Sequence, residues 1–255
     1  GTMISVITTA YNHQDTIDRA IKSVSNQRCV YFEHIIIDGA SSDNTLEILQ
    51  IYKKTYNYLW TSQPDDGIAD ALNKGQQIAQ GSYIIVIQAD DRLLNQNIFD
   101  NVYPYLKNEK IDIVVFPVIL NHPTRGKVLK QPIRFIVWNR FKFIFPHQGC
   151  FVHKRVFEKV GRFRNEFNIC MDYDFFYRAL AFNFSVKFGK FPVVLMGGTG
   201  VGSLSKFIDK RLEEERLVQM RNERNPGWRA AQFIFRLLYM PYKTHRISLA
   251  VNNKP

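Results

Sequence analysis

Hydrophobic and polar positions in the first part of the chain switch between two periodicities. Short apolar, β-branched runs predict strands at residues 4–9, 34–38, 59–61 and 83–87. Apolar residues at helical spacing predict a helix in each interval. The expected N-cap of the first helix is Asp15, and that of the second is Asp43 or Asn44. The third helix is expected to extend from Gly67 to Gly81. This alternation predicts a parallel sheet covered by helices on both faces.

The pattern is less regular from residue 112 onward. It predicts strands at 112–120 and 191–196 and a hairpin at 121–130. Helices are predicted at 155–160, 172–182, 204–221 and 227–242. The chain is therefore expected to adopt an α/β fold, with a mostly parallel central sheet flanked by helices and with further helices at its C-terminal end.

Acidic residues stand where two of the predicted strands end. Asp38 ends the second strand, and Asp90 and Asp91 follow the fourth. Ligands of parallel α/β sheets bind at the carboxyl ends of the strands. Adjacent carboxylates repel each other unless a cation or hydrogen-bond donors neutralise them, and hard divalent cations prefer oxygen ligands. An Asp-Asp pair by itself is more often a solvated turn, but this position favours a binding site.

Several motifs together resemble a known enzyme family. The residues at 6–12, 36–45, 63–75 and 88–91 are similar to those of the family-2 glycosyltransferases of the GT-A fold. Further segments at 147–149, 161–163 and 171–178 resemble the subgroup that builds bacterial surface polysaccharides. The resemblance implies a GT-A catalytic domain at 3–205, with a nucleotide-sugar-binding half at 3–110 and an acceptor half at 111–205. A C-terminal helical extension would occupy 206–255.

The resemblance also implies a reaction and a donor site. The enzyme would be an inverting glycosyltransferase that uses a nucleotide-diphospho-sugar, with a UDP-sugar as the expected donor, and Mg²⁺ or Mn²⁺. Its acceptor would be a glycan or a lipid-linked glycan. By analogy with the family, the nucleobase pocket would be lined by Thr8, Ala10 and Tyr11. Asp38 would accept a hydrogen bond from the base, Asp90 would contact the ribose, and Asp91 would hold the divalent cation.

The acceptor side of the reaction needs a carboxylate that lies away from the metal. Asp172 and Asp174 are the only acidic residues between Glu166 and Asp209. The family places its catalytic base at the first of these two positions, so Asp172 is the expected base. Carboxylates in a first helical turn are also stabilised by the helix dipole, which leaves a structural role open for both. His147 and Gln148 are expected to face the acceptor.

Charge is divided unevenly along the chain. Residues 1–120 hold 9 Lys and Arg against 14 Asp and Glu, a net charge of −5, whereas residues 121–255 hold 25 against 9, a net charge of +16. Such asymmetry favours a polyanionic partner for the second half, either nucleic acid or an anionic membrane surface.

The helix predicted at 227–242 is amphipathic, which is relevant to the choice between nucleic acid and a membrane surface. It carries one apolar stripe, formed by Trp228, Ala231, Phe235, Leu238 and Tyr242. Arg229, Arg236 and Lys243 recur every seven residues beside the stripe. The helix could pack on the catalytic domain, or it could lie at a membrane surface with its cations at the headgroups; both interpretations stay open. The expected location is cytoplasmic, with peripheral attachment to the inner membrane face under the second interpretation.

Several other functions fit the sequence less well. No apolar run approaches the roughly 18 residues of a spanning helix, so none is expected. The glycine-rich stretch at 197–203 lacks the lysine of a phosphate-binding loop. In the resembled family it would be a segment that closes over the donor, and a flexible loop without a ligand stays open as the alternative. A sugar-1-phosphate nucleotidyltransferase would need a basic, glycine-rich loop near the N-terminus, and residues 8–14 do not form one. A nucleic-acid-binding protein, the other alternative, would leave the acidic sheet edge unexplained, so no nucleic-acid partner is expected.

Overall fold

The computed structural model describes residues 2–29, 31–122, 125–198 and 207–252. Within the last range, the side chains of Met240 and of residues 242–252 are outside the description. Parts of three predictions therefore lie outside the described residues: the tip of the hairpin, most of the glycine-rich stretch at 197–203, and the start of the helix predicted at 204–221.

The strands of the described residues form two sheets. In chain order they are β1 (Ile4–Ala10), β2 (Phe32–Asp38), β3 (Leu59–Ser62), β4 (Tyr83–Val86), β5 (Arg92–Leu93), β6 (Ile113–Val115), β7 (Val118–His122), β8 (Gly126–Lys130), β9 (Cys150–His153), β10 (Val186–Phe188) and β11 (Val194–Met196). The central seven-stranded sheet has the order β10-β6-β9-β4-β1-β2-β3. Its strands are parallel except β9, which runs antiparallel to both of its neighbours. The predicted α/β fold with a mostly parallel sheet is confirmed.

The single strand predicted at 112–120 is wrong. The chain forms β6 in the central sheet and then β7 in a second, four-stranded sheet of order β5-β11-β7-β8. Pro117 lies between the two strands and has no backbone N–H, so it cannot continue the hydrogen-bonded ladder. The chain leaves one sheet and enters the other at this point. The predicted hairpin is present, since β7 and β8 pair antiparallel.

The helices are α1 (Ile17–Ser25), α2 (Thr45–Lys53), α3 (Ile68–Ile78), α4 (Ile98–Leu106), α5 (Lys154–Val160), α6 (Met171–Ala179), α7 (Ile208–Asn222) and α8 (Pro226–Asn252). Several predicted helix ends are wrong, among them that of α6, which ends at Ala179 rather than at residue 182. The N-cap of α1 is Thr16 rather than Asp15, because a turn closed on the His13 carbonyl comes first. Helix α3 ends at Ile78 rather than Gly81, whose N–H donates instead to the Ser5 hydroxyl at 2.8 Å.

Hydrophobic side chains cover both faces of the central sheet. Ile84 and Val86 of β4 belong to the core that contains residues of α3, α5 and α6. Tyr83 and Ile85, which alternate with them, belong to the core on the other face, together with residues of α4. A sheet that is buried on both faces is typical of parallel α/β architecture, and it leaves the strand ends as the place for a ligand.

Two helices follow the sheet at the C-terminal end of the chain. Helix α7 packs on α6. Helix α8 continues well past the predicted end at residue 242. In the part of the chain that the structure describes, no helix is both long enough and apolar enough to cross a bilayer.

Candidate active site

Three parallel strands end side by side at one edge of the central sheet. Strand β1 lies between β2 and β4, and Ala10 at its end stands opposite Asp38. Gln88, just beyond β4, accepts a hydrogen bond from the Thr9 hydroxyl of β1. This edge therefore gathers side chains that were predicted to bind the donor, namely those of Tyr11, Asp38, Asp90 and Asp91.

Asp38 is fully buried and holds the turn that follows β2. The backbone N–H of Ser41 donates to one carboxylate oxygen at 2.9 Å, and the Ser41 hydroxyl donates to the other. The hydroxyl of Ser62, at the end of β3, donates to Asp38 at 2.7 Å. Asp38 thus joins the loops after β2 and β3 at the place predicted for the nucleobase.

The other predicted nucleobase residues differ in exposure. Tyr11 is 62% exposed and open to a ligand, whereas Ala10 is buried. Thr8 is fully buried, and its hydroxyl lies 2.8 Å from Nε2 of His34. Burial lowers the pKa of His34 to about 3, so this ring is neutral at physiological pH. Thr8 lies inside the sheet behind Ala10 and Tyr11.

Asp91 is a buried carboxyl at the end of the fourth strand, only 3% exposed. It accepts hydrogen bonds from the backbone N–H groups of Gln88 and Gly197, both at 3.1 Å, and the nearby Gln148 side chain acts, like these two bonds, to lower its pKa. Burial, followed by repulsion from Asp90, raises its pKa to about 7. Asp90 is the more exposed of the two carboxylates.

Gly197 fits against the Asp90–Asp91 turn because it has no side chain. A Cβ at this position would lie 2.4 Å from the backbone oxygen of Asp90 and 2.8 Å from its carboxylate oxygen. Any larger residue would push the segment after β11 away from the two carboxylates. The first residue of the glycine-rich stretch therefore lies directly on the predicted metal site.

The chemistry of the Asp90–Asp91 pair fits a hard divalent cation. Both side chains offer carboxylate oxygens, and a cation would relieve the burial and repulsion that raise the pKa of Asp91. Among the described residues, no cluster of three or more Asp, Glu, His or Cys side chains is arranged to bind a metal. A cation here would therefore need oxygens from a bound diphosphate to complete its coordination.

Asp172 lies in the first turn of α6. One of its carboxylate oxygens accepts a hydrogen bond from the Tyr173 N–H at 2.7 Å. Burial raises the pKa of Asp172 to about 6, although this hydrogen bond and the nearby Arg211 both act to lower it. Such a carboxyl is ionised at neutral pH and more basic than an exposed aspartate, as a general base requires.

Asp174 has a different environment from Asp172. It is fully buried, and it accepts hydrogen bonds from Arg164 at 2.9 Å, Arg178 at 3.0 Å and Asn222 at 2.8 Å. These partners come from the loop before α6, from α6 itself and from α7. Asp174 is therefore a structural group that joins α6 to its surroundings.

The two predicted acceptor residues have separate surroundings. Gln148 lies near enough to Asp91 for its side chain to act on the pKa of that carboxyl. His147 is buried between the rings of Phe163 and Phe176, with centroid distances of 5.7 and 5.8 Å. Burial lowers the pKa of His147 to about 4, so its ring is neutral at physiological pH.

Glu214 of α7 supports the site and was missed by the sequence analysis. Its buried carboxylate accepts hydrogen bonds from three consecutive N–H groups, those of Asn168 at 3.1 Å, Ile169 at 2.8 Å and Cys170 at 2.9 Å. These groups lead directly into α6, so Glu214 sets where Asp172 lies. No local pattern could have indicated this contact, because 44 to 46 residues separate the partners.

The strand order of the central sheet and the helices on both of its faces are those of the GT-A fold. Residues 5–177 match the model of glycosyl transferase family 2, and the chain belongs to that family. It is 29% identical over 180 residues to an uncharacterised glycosyltransferase of Mycobacterium tuberculosis, which covers 69% of this chain and 68% of the relative. A PGL/p-HBAD biosynthesis glycosyltransferase of Mycobacterium bovis is 27% identical over 177 residues, 68% of each chain.

Solved structures agree with this assignment of the fold. The mannosyltransferase PcManGT of Pyrobaculum calidifontis, in complex with GDP-Man and Mn²⁺, superimposes with a TM-score of 0.70 at 16% identity, over 100% of this chain and 76% of that one. TarS of S. aureus (residues 1–349), in complex with UDP-GlcNAc, gives a TM-score of 0.63 at 16% identity, over 76% and 58%. The chain is a glycosyltransferase with the predicted fold.

Proposed function

We propose that this glycosyltransferase moves a sugar from a UDP-sugar to a hydroxyl of a glycan or lipid-linked acceptor in bacterial surface polysaccharide synthesis. The main support is the segment at 147–150, which connects the two carboxylate centres. Gln148 in this segment acts on the pKa of Asp91, and the charge of Asp172 helps to raise the pKa of the Cys150 thiol. A donor at Asp91 and a base at Asp172 would therefore be close together.

The donor would bind along the edge formed by β1, β2 and β4. Ala10 and Tyr11 would line the nucleobase pocket with Thr8 behind them, and Asp38 would accept a hydrogen bond from the base. Asp90 would contact the ribose and Asp91 would hold Mg²⁺ or Mn²⁺. The complexes of TarS with UDP-GlcNAc and of PcManGT with GDP-Man and Mn²⁺ support this placement of a nucleotide-sugar and a cation.

Asp172 would act as the general base of an inverting displacement. Its carboxylate would take the proton of the acceptor hydroxyl while the hydroxyl oxygen attacks the anomeric carbon opposite the leaving diphosphate. A bound divalent cation supplies charge neutralisation on that diphosphate. Asp172 suits the proton transfer because burial makes it more basic than an exposed aspartate.

The acceptor class is proposed from relatives and from charge. One relative is named for PGL/p-HBAD biosynthesis, and another, from Bacillus subtilis, for teichuronic acid biosynthesis; the latter is 37% identical over 92 residues, 35% of this chain and 36% of that one. We propose that the enzyme works in the cytoplasm, held peripherally at the inner face of the membrane by its basic C-terminal part. A lipid-linked acceptor would require that proximity.

Calorimetric titration with UDP tests the donor site. Wild-type protein is expected to bind UDP only when Mn²⁺ or Mg²⁺ is present. Asp91→Asn should lose this cation-dependent binding, whereas Asp90→Asn should weaken UDP binding while the cation dependence remains. The exposed Asp100 of α4 provides a control, and Asp100→Asn should bind like wild type.

Three results would contradict the proposal: UDP binding without a cation, unchanged binding by Asp91→Asn, or no metal-dependent hydrolysis in a screen of UDP-, GDP- and dTDP-sugars. Salt-dependent gel shifts with arbitrary RNA would instead favour the nucleic-acid-binding alternative.

A further inference from the structure

Helix α8 carries apolar side chains on two faces. On the inner face, Trp228 and Phe235 pack on Phe141, with ring centroids 6.0 and 5.1 Å apart. The packing interpretation of these two stripe residues is thus confirmed. On another face, Phe233, Ile234, Leu237 and Leu238 are 55% to 74% exposed. Residues at this spacing are neighbours on a helix surface, so the four form one apolar patch.

A short 3₁₀ turn at Ile136–Arg140 lies beside α8. Phe135 precedes the turn and is 74% exposed, and Val137 and Trp138 are also exposed. The Trp138 ring lies 6.1 Å from that of Phe235, so the turn adjoins α8. We call the exposed apolar side chains of 135–138 and 233–238 the apolar surface. Exposed apolar side chains on two adjoining elements indicate an interaction site.

Both elements of the apolar surface come from segments without acidic residues. No Asp or Glu occurs between Asp112 and Glu158, although that interval holds 8 Lys and Arg. None occurs after Glu223 either, where 6 Lys and Arg are present. Among these cations, Arg134 is exposed and adjoins Phe135 in the chain.

We propose that the apolar surface inserts into an anionic membrane, with the surrounding cations at the lipid headgroups. This inference deepens the proposed function, because it specifies which residues would hold the enzyme at its membrane. Apolar side chains flanked by Lys and Arg are the combination that interfacial helices use on anionic lipid. A second copy of the chain is a poorer occupant, since it would bring two strongly basic surfaces together.

The full-length chain can be tested by co-sedimentation with vesicles of phosphatidylcholine alone or mixed with phosphatidylglycerol. Wild-type protein should sediment with the mixed vesicles and much less with the neutral ones. The double variant Leu237→Gln/Leu238→Gln should reduce the partition coefficient for mixed vesicles at least about tenfold, and Phe135→Ser about threefold. Ile51 of α2 is 56% exposed and lies in the acidic half of the chain, so Ile51→Gln is the matched control and should bind like wild type.

Equal sedimentation with neutral and anionic vesicles would overturn the proposal, as would a double variant that binds like wild type. So would a wild-type dimer that the double variant converts to a monomer in analytical ultracentrifugation, because a second copy would then cover the surface. All replaced side chains are exposed, so matching melting temperatures should accompany these measurements. Metal-dependent donor hydrolysis by the double variant reports separately on the proposed function and should be unchanged.

Discussion

The proposed donor edge, formed by Asp38, Asp90 and Asp91, and the proposed base region, formed by α6 and the segment before it, are held together in different ways. At the donor edge, Asp38 is held by Ser41, and Asp91 by the N–H of Gln88, in each case only three residues away. In the base region, the segment before α6 is held by Glu214, and Asp174 by Asn222, both from α7. At the donor edge, Asp38 and Asp91 thus each have a partner in their own turn, besides Ser62 and Gly197 from further along the chain. The base region depends instead on a helix that follows much later in the chain.

The part of the chain that matches the family includes the donor edge but ends before the helix that supports the base region. The match to glycosyl transferase family 2 ends at residue 177, inside α6. Helix α7 lies beyond it, yet α7 supplies the buried Glu214 and also Arg211, whose charge acts on the pKa of Asp172. Substitutions in α7 should therefore change the activity of the proposed base, Asp172, and leave the donor edge unchanged.

The largest expected effect separates the two carboxylates of α6. Asp172→Asn should lower sugar transfer by about 10² to 10⁴ and leave cation-dependent UDP binding intact, because only the proton acceptor is lost. Asp174→Asn should instead destabilise the fold by about 3 kcal/mol, since it leaves buried Arg178 without its carboxylate partner. Transfer assays, UDP titration and denaturant unfolding measure these quantities. Normal transfer by Asp172→Asn together with normal stability of Asp174→Asn would reverse the assignment.

A smaller effect is expected at Glu214. Glu214→Gln replaces a carboxylate that accepts three N–H bonds by an amide with one acceptor oxygen, so the segment before α6 should shift. We expect kcat to fall about tenfold while the KM for the donor is unchanged, because a small misplacement of a catalytic group lowers the rate more than binding. Its neighbour Glu213 is exposed, and Glu213→Gln is the matched control. A change in donor KM as large as that in kcat would show that α7 also shapes the donor edge.

The smallest expected effect is on the pH profile. Asp172 must be deprotonated to act, and its pKa is raised to about 6, so kcat should be constant above that pH and fall about tenfold per unit below it. Arg211 lowers this pKa by its charge, so Arg211→Gln should move the inflection to higher pH. Arg216 is an exposed arginine on the same helix, and Arg216→Gln should leave the profile unchanged. An inflection near pH 4 in wild type would mean that the base is an exposed carboxylate elsewhere.

Much of the donor edge was predictable because its signals are local. The apolar runs of β1, β2 and β4 predict buried parallel strands, and parallel strands bring their carboxyl ends to one edge. Asp38 and the Asp90–Asp91 pair therefore had to lie at the same edge of the sheet once the strands were recognised. Helix α3, with Gly67 as its N-cap, was predictable in the same way.

The sequence by itself determined the alternation of strands and helices, the acidic strand ends and the basic second half. Only the tertiary structure decided which side of α8 is covered, that Pro117 divides one apolar run between two sheets, and that Glu214 holds the segment before Asp172. The physical reason is that strand and helix periodicities act over a few residues. The burial of a carboxylate or of a helix face depends instead on side chains that folding brings from distant positions in the chain.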